Sequence, residues 1–466
     1  MVSKMRQILK KWLISGTLKT LSPLIIGTGD QSDDIDIILQ KDENANPYIP
    51  ATSIAGSLRH SLFEEHDLQQ DREAIRTIWG DTFRINGKDK TVKSAIYFSD
   101  AKINPNYTIE LRDGIRIDPK TGLVADGAKF DHEALSKGAK FKFKIIIEQT
   151  KLDDETIIKK MIYTMKFLLE SGEFSIGAMN TKGYGKVKLR KTHITVFDFR
   201  QKTDVISWLE GKEKTQYEKD LATNGCYQKK TENDLTIAIN LKLKTSLLIR
   251  SYSADPNAPD ASYMTSQGQA VLPGSSVKGA LRQRAEKIIH TLCQNESKTE
   301  KMIKSLFGTV DTDNQEGEKI KSRFYTKETY KNINQEVDRI QARIKIDRFT
   351  GGTIKTALFD EMPLWPSDSD DLFTISYTIK NCKEWEAGLA LLIMKDLMTG
   401  DLPIGGGKSI GRGIFIGDSA QINYKNQDYH ILQSTTVQIE SDEKAQLEQY
   451  VTAFNKTVRE GENIHV

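Results

Sequence analysis

Two loops of this sequence are rich in aspartate, a side chain that can hold a divalent cation or exchange protons with a substrate. The first loop reads GTGDQSDDIDIILQKD and the second reads RSYSADPNAPDASYMTSQ. Their candidate carboxylates are Asp30, Asp33, Asp34 and Asp36 in the first loop and Asp255 and Asp260 in the second. The alternative is that these aspartates are ordinary solvated loop residues.

Each acidic loop leads to a proline turn and a basic helix, YIPATSIAGSLR (48–59) and VLPGSSVKGALR (271–282). The candidate phosphate-binding residues in these segments are Thr52, Ser53, Gly56 and Arg59 in the first and Ser275, Ser276, Lys278 and Arg282 in the second. Their hydroxyl groups are expected to cap the helices. Because the amides at a helix start attract anions, each segment is a candidate phosphate site. A capped helix with solvated basic residues is the alternative.

Two glycine-rich turns follow, TKGYGK (181–186) and GGGKSIGRG (405–413). Glycine permits a positive φ and lets a backbone approach a ligand closely. The basic and glycine residues of interest are Lys182, Gly183, Gly185, Lys186, Lys408, Gly411 and Arg412. A nearby polyanion is favoured over a merely tight helix-to-strand connection. GGGKS lacks the full P-loop pattern and follows a helix, so ATP binding is rejected.

These segments recur in one order along the chain. The matched pairs are LKT at 18–20 and 243–245, the two proline turns, IRIDPKTGLVADGAKFD (115–131) with IKIDRFTGGTIKTALFD (344–360), and IGAMNTKGYGKV (176–187) with IGGGKSIGRGIF (404–415). The offsets between partners lie between 223 and 229 residues. The sequence therefore predicts a tandem duplication, with modules of about 180 residues.

Within each copy the pattern predicts an α+β module of βαββαβ type. A charged segment, 198–235, is typical of a linker or surface excursion. A lysine-rich excursion, 316–341, is predicted to carry one amphipathic helix, and DEKAQLEQYVTAFNKTV in the tail is also predicted to be helical. The tail has no counterpart in the first copy. One hypothesis for its role is that it packs on an adjacent subunit.

Composition excludes several classes of protein. The formal net charge is only +3, from 67 basic and 64 acidic residues, so any nucleic-acid site must concentrate its cations locally. No apolar run is long enough to span a membrane, and no targeting signal is evident, so a cytoplasmic location is expected. The three cysteines have neither metal-ligand nor disulfide-framework spacing, and the histidines are scattered.

The segments LIIGTGD, PYIPATSIAGSLR and KGYGKV together resemble the RAMP superfamily, the repeat-associated RNA-binding proteins of CRISPR systems. Within it the chain is most similar to backbone subunits of type III effector complexes. The duplication resembles the fused double-backbone subunits of subtype III-D variants. The likeness covers roughly 13–189 and 235–417. It implies two tandem ferredoxin-like (RRM-like) modules with inserted thumb hairpins, a linker and a C-terminal extension.

The resemblance also implies site residues. The catalytic aspartate of the family precedes the proline turn by about fourteen residues, and Asp36 and Asp260 match it in the two copies. Asp42 matches a second loop acid, but Ser266 stands in its place in copy two, so copy one is expected to be the more active. Arg116, Lys345 and Arg348 are expected to contact RNA from the thumbs. Either catalytic aspartate would also hold the divalent cation, expected to be Mg²⁺.

The expected function is that of a type III CRISPR backbone subunit and endoribonuclease. Its partners would be guide RNA, complementary target RNA and other effector-complex subunits, with no membrane and no small-molecule cofactor. The predicted division is 13–190 for the first module, 191–235 for the linker, 236–417 for the second module and 418–466 for the C-terminal extension.

Three alternatives remain at this point. The chain could be a guide-RNA scaffold that does not cut, or a stand-alone guide-processing endoribonuclease, although such enzymes often use a histidine and none recurs here. It could also be a metabolic phosphate-binding enzyme. The duplicated polyanion features favour a repeating polymer as the ligand over a small molecule.

Overall fold

The computed structural model describes residues 7–29, 35–85, 88–118, 121–151, 153–212, 225–230, 233–251, 257–309, 319–332, 339–366, 372–433, 437–438 and 441–460. The chain forms two compact units. Unit 1 contains Met1–Leu111, Phe130–Asn180 and Gly185–Lys230, and unit 2 contains Arg112–Lys129, Thr181–Tyr184 and Thr231–Val466. Two short stretches of the first repeat therefore belong to unit 2, and the predicted module boundaries stay predictions.

The first half of the chain alternates strands and helices. Its elements are β1 (Ile8–Thr20), β2 (Tyr48–Ile49), α1 (Ala51–Glu65), α2 (Arg72–Trp79), β3 (Asp81–Ile85), β4 (Lys88–Val92), β5 (Ile96–Phe98), β6 (Ala101–Lys102), β7 (Ile109–Ile117), β8 (Val124–Leu135), β9 (Lys140–Thr150), α3 (Glu155–Ser171), β10 (Val187–Asp198) and α4 (Lys202–Leu209).

The main sheet of unit 1 has the strand order β10-β1-β9-β5, and every pairing in it is antiparallel. With α1 and α3, these strands follow one another along the chain as βαββαβ, which is the ferredoxin-like arrangement. The core forms because alternate residues of each strand point to one face of the sheet. In β9, for example, Phe141, Phe143 and Ile145 are buried whereas Lys142 and Lys144 are exposed.

The second half repeats this plan. Its elements are β11 (Leu235–Leu243), β12 (Arg250–Ser251), β13 (Ala261–Tyr263), β14 (Thr265–Ser266), β15 (Gln269–Leu272), α5 (Gly274–Cys293), α6 (Glu296–Phe307), β16 (Phe324–Thr326), β17 (Thr329–Asn332), β18 (Gln341–Ile346), β19 (Thr353–Met362), β20 (Phe373–Ile379), α7 (Glu384–Met398), β21 (Phe415–Tyr424), β22 (Gln427–Gln433), β23 (Val437–Gln438) and α8 (Ser441–Glu460).

The main sheet of unit 2 has the order β16-β20-β11-β21-β22-β23. Its first four strands, with α5 and α7, give the same βαββαβ arrangement, and β22 and β23 extend one edge. In each repeat a hairpin, β7–β8 or β18–β19, is inserted between the second and third strands of this arrangement. The predicted α+β class, with tandem ferredoxin-like modules and inserted hairpins, is therefore confirmed.

The lysine-rich excursion, predicted to carry a helix, forms strands where the structure describes it, and 316–318 and 333–338 lie outside the described residues. Its described residues, 319–332 and 339–341, contain β16 and β17 and the first residue of β18. Phe324 pairs with Ile379 and Thr326 with Tyr377, so β16 becomes the edge strand of the sheet. The strand conformation of this segment depends on pairing with β20, which is distant in sequence, and local propensity does not reveal such pairing. None of the helices among the described residues is long and apolar enough to cross a membrane.

The predicted tail helix is α8, and it packs within unit 2 itself. Leu447, Phe454 and Val458 are buried, and the ammonium of Lys298 donates to the carbonyls of Thr457 and Val458 at 2.9 and 2.6 Å. These carbonyls lie in the last turn of the helix, where a cation is favourable. Because α8 covers α7, nearly every side of α7 is buried.

The close approach of α8 to α7 predicts a large effect of Gly388→Ala. A Cβ at Gly388 would overlap the carbonyl oxygen of Tyr450, so the two helices must separate. We expect the free energy of unfolding of the full chain to fall by about 1–3 kcal/mol in urea titrations. The matched control is Gly279→Ala in α5, where a Cβ meets nothing within 4 Å. It should gain about 0.5–1 kcal/mol, and equal losses in both variants would contradict the packing argument.

A buried ion pair holds part of the first repeat inside unit 2. The guanidinium of Arg112 donates to the two carboxylate oxygens of Glu328 at 2.7 and 3.2 Å. Their side chains are only 3% and 1% exposed, and the hydroxyl of Tyr184 accepts a longer hydrogen bond from Arg112 at 3.4 Å. Such a pair is costly to break because the remaining charge stays buried.

Candidate nucleic-acid interface

The loop aspartate of unit 1 is fixed against the inserted hairpin. Asp36 is exposed, and its Oδ2 accepts a hydrogen bond from the backbone N–H of Asp131 in β8 at 2.8 Å. In return the N–H of Asp36 donates to the carbonyl of Asp131 at 3.0 Å. A parallel bridge between Ile37 and His132 continues the contact. One carboxylate oxygen is therefore held in place while the residue remains accessible.

Unit 2 contains the same construction. Asp260 is exposed, and its Oδ2 accepts from the backbone N–H of Asp360 in β19 at 2.8 Å. A parallel pairing of Ala261 with Glu361 follows it, as the bridge from Ile37 follows Asp36. We call each of these arrangements an aspartate clamp. Sequence comparison had matched Asp131 with Asp360 but had given neither residue a role. Asp30, Asp33, Asp34 and Asp255 lie outside the described residues.

The second loop acid of copy one has a structural role. The Oδ1 of Asp42 accepts from the N–H groups of Asn44 and Asn46 at 3.0 and 2.9 Å, which closes a turn. Asp42 therefore stabilises the loop by a local side-chain-to-backbone hydrogen bond. Its replacement by Ser266 in copy two changes a turn, and does not by itself weaken the case for Asp260.

The residues next to the clamps differ between the repeats. His132 is buried, and its ring stacks on Phe130 with a centroid distance of 5.6 Å. The corresponding Glu361 is buried among arginines: it pairs with Arg250 at 3.1 Å, Arg343 at 3.2 Å and Arg412 at 2.8 Å. Arg412 also donates to Gln341 at 2.6 Å, and its side chain is 4% exposed. Its guanidinium is committed to protein partners, so we do not carry Arg412 forward as an RNA ligand.

The predicted hydroxyl caps are absent. Pro50 and Pro273 are the N-cap residues of α1 and α5, and neither helix start has a side-chain cap hydrogen bond. Because the prolines take the cap positions, the hydroxyl residues fall within the first turn, at Thr52, Ser53, Ser275 and Ser276. The expectation of Ser and Thr caps was wrong for this reason. In unit 1 the N–H of Ala51 instead donates to the carboxylate of Asp100 at 2.7 Å.

The helix arginine of unit 1 is paired. Arg59 donates to the carboxylate of Asp81 at 2.9 Å and to the carbonyl of Gly80 at 3.2 Å. Arg76 donates to the same carboxylate oxygen, also at 2.9 Å, and this bond lowers the pKa of Asp81. The positive charge of α1 is therefore largely neutralised by its own unit.

In unit 2, a group of three cations includes two on the corresponding helix, Lys278 and Arg282, and one outside it, Lys182. Lys278 is 8% exposed, and its ammonium donates to the hydroxyl of Ser322 at 2.8 Å. Burial, reinforced by the charges of Lys182 and Arg282, lowers the pKa of Lys278 to about 7. Burial also lowers the pKa of Lys182 and of Arg282. Within the described part of the chain, no carboxylate forms an ion pair with any of these three residues, which we call the Lys278 cluster.

The glycine-rich turns contact protein backbone in the first repeat. Gly183 has a φ of +91°, and a Cβ there would lie 2.9 Å from the backbone nitrogen of Glu328. A Cβ at Gly185 would overlap the carbonyl oxygen of Ile176. Close approach to protein therefore explains both glycines. In contrast, Gly56 and Gly411 have open space around them, and Lys408 is exposed.

The predicted thumb residues lie on the inserted hairpins. Arg116, Lys345 and Arg348 are all exposed. Apolar side chains accompany them on the same hairpins, and the exposure of these side chains is not evident from the sequence. Ile115 and Ile344 are exposed next to these cations, and Phe349 is 100% exposed. Exposed apolar groups interleaved with cations are suited to base stacking and phosphate contact. The contacts of all these residues with RNA stay predictions.

The fold and the site together define a class: a tandem ferredoxin-like protein in which an inserted hairpin clamps a loop aspartate in each repeat. The model of the RAMP superfamily matches residues 17–188 and 240–416. The chain therefore belongs to the RAMP superfamily and contains two of its modules, as the sequence motifs had predicted.

One relative is named as an endoribonuclease of a CRISPR system. The chain is similar to the CRISPR system Cms endoribonuclease Csm3 of Methanocaldococcus jannaschii, with 29% identity over 129 residues. The aligned region is 28% of this chain and 46% of that relative.

Proposed function

We propose that the chain is a backbone subunit of a type III CRISPR ribonucleoprotein that binds guide RNA and cleaves complementary target RNA. Cuts would fall about six nucleotides apart, one for each loop aspartate, beside nucleotides displaced from the duplex. The observation that carries this proposal is the aspartate clamp, built in the same way at Asp36 and at Asp260. Family membership and the likeness to an endoribonuclease support it.

The chemistry requires little from the protein beyond orientation. The 2′-oxygen of the target attacks the adjacent phosphorus, the bond from phosphorus to the 5′-oxygen breaks, and the products carry a cyclic phosphate and a 5′-hydroxyl. The clamped carboxylate accepts the proton of the 2′-hydroxyl, and solvent returns a proton to the leaving oxygen. The exposed oxygen of Asp36 or Asp260 suits this role because the other oxygen is held. Pairing with the guide selects the sequence.

A divalent cation, Mg²⁺, fits these sites only if the substrate supplies some of its ligands. Among the described residues there is no group of three or more His, Cys, Asp or Glu side chains that could hold a metal. Mg²⁺ commonly uses one or two carboxylates together with water and substrate phosphates. Asp36 and Asp260 would hold it in that manner, and the ion would stabilise charge on the phosphate.

The direct test is to purify the chain with its co-transcribed neighbours and extract the bound nucleic acid. We expect a discrete small RNA, together with other subunits of the complex. A labelled RNA complementary to it should be cut at regular intervals into products ending in cyclic phosphate. Absence of bound RNA would contradict the proposal. If the complex contains bound RNA but the target stays uncut, the chain is a scaffold that holds the guide RNA and does not cleave.

A further inference from the structure

The Lys278 cluster is energetically incomplete in the RNA-free protein. Burying an ammonium or a guanidinium is costly unless an anion accompanies it. Here the charges of Lys182 and Arg282 are close enough to Lys278 to lower its pKa. The hydroxyl of Ser322, which accepts a hydrogen bond from Lys278, is neutral and does not offset these charges. Glu286 has an electrostatic influence on Arg282, but the two do not form an ion pair in the described part of the chain. An anion would complete the site.

The first repeat offers no comparable site on α1. When the two proline turns are aligned, Ala55 stands where the second repeat has Lys278. Arg59 aligns with Arg282, but Asp81 already binds it at 2.9 Å. The first amide of α1 is likewise taken by Asp100. Carboxylates of the protein therefore occupy the positions that a phosphate would need.

We propose that the two repeats hold the guide strand unequally: Lys278 and Arg282 of α5, together with Lys182, form a phosphate anchor that α1 does not possess. This inference rests on the proposed function, because the anion is taken to be a phosphodiester of RNA. A guanidinium can bind such a phosphate through two hydrogen bonds, and the lysines add point charges. The strand passes α1 without direct pairing to Arg59.

The test compares Arg282→Met, Lys278→Met and Arg59→Met in the purified complex, with Lys304→Met, from an exposed pair, as the surface control. The probe is labelled single-stranded RNA of the guide sequence, titrated at several salt concentrations. Arg282→Met and Lys278→Met should each weaken binding about tenfold and reduce the salt slope by about 0.7. Arg59→Met should weaken it less than about threefold, with an unchanged slope.

Two further measurements separate binding from folding. Lys278→Met should raise the melting temperature of the RNA-free complex because it removes a buried cation. Binding by the unmodified protein should weaken as the pH rises above about 7, where Lys278 loses its proton, whereas Lys278→Met should lack this dependence.

Each outcome decides a different claim. Equal losses in Arg59→Met and Arg282→Met, or an unchanged pH profile in Lys278→Met, would overturn the unequal anchor and leave the proposed function intact. Failure of the unmodified complex to bind RNA would overturn the proposed function itself. A melting temperature that falls in Lys278→Met would show that the ammonium is structurally satisfied without an anion, which also contradicts the anchor.

Discussion

We expect a complex carrying Asp36→Asn to lose one set of target cuts and keep the other, and Asp260→Asn to give the complementary pattern. The rate at each affected position should fall about 10²–10⁴-fold, which is the usual contribution of a positioned acid–base group. The amide of asparagine can still accept the hydrogen bond from Asp131 or Asp360, so the clamp persists while the basic carboxylate is lost. Mapping of fragment ends on a sequencing gel separates the two sets.

The control for this prediction is Asp42→Asn. Its carboxylate accepts hydrogen bonds from two backbone amides of a turn, so the rate of target cutting should stay within a few-fold of the unmodified rate. A double variant of Asp36 and Asp260 should bind guide RNA normally and cut nothing. If that double variant still cuts at the original positions, neither clamp is catalytic, and another group must perform the reaction.

Replacement of Glu328 by Ala should have the largest effect on stability. Arg112 would stay buried without the counter-charge that Glu328 supplies, and the loss of one partner from such a pair costs about 3–5 kcal/mol. The measurement is the free energy of unfolding of the full chain in denaturant. Glu300→Ala provides the comparison, because Glu300 and its partner Lys304 are both exposed and the loss should stay below about 0.5 kcal/mol.

A double replacement tests the origin of that effect. Arg112→Met combined with Glu328→Leu removes both charges and should recover most of the lost stability, because apolar groups often replace a buried pair without cost. If Glu328→Ala is no more harmful than Glu300→Ala, the pair is not buried in solution. If the double variant is worse than Glu328→Ala alone, apolar packing around the pair matters more than charge.

The fold was largely predictable from sequence because each copy repeats the same order of apolar strands and turns. The two clamps were predictable only in part. The matched Phe–Asp segments of the repeats contain Asp131 and Asp360, but only the structure shows that the backbone amides of these residues hold the acidic loops. The assignment of Asp36 and Asp260 came from family resemblance, since one loop aspartate cannot be distinguished from its neighbours by composition alone.

The remaining features depend on contacts between distant parts of the chain. Arg59 looked like a free phosphate ligand because Asp81, which neutralises it, lies in a hairpin strand that the pattern did not predict. Arg412 looked similar, although Glu361 binds it from a strand about fifty residues earlier. Prolines at the cap positions displaced the hydroxyl residues into the first turn. In each case tertiary structure determines whether a polar group is available.

Under the proposed function, the clamp also couples the position of the reacting carboxylate to the position of the hairpin. Since the bond from Asp131 to Asp36 joins the acidic loop to the hairpin, bending of β8 at that point carries the carboxylate with it. A shift of about 1 Å is enough to spoil the alignment of an attacking oxygen. Under the proposed function, a duplex that positions the hairpin correctly would also orient the carboxylate, and a poorly matched duplex that tilts the hairpin would leave the strand uncut.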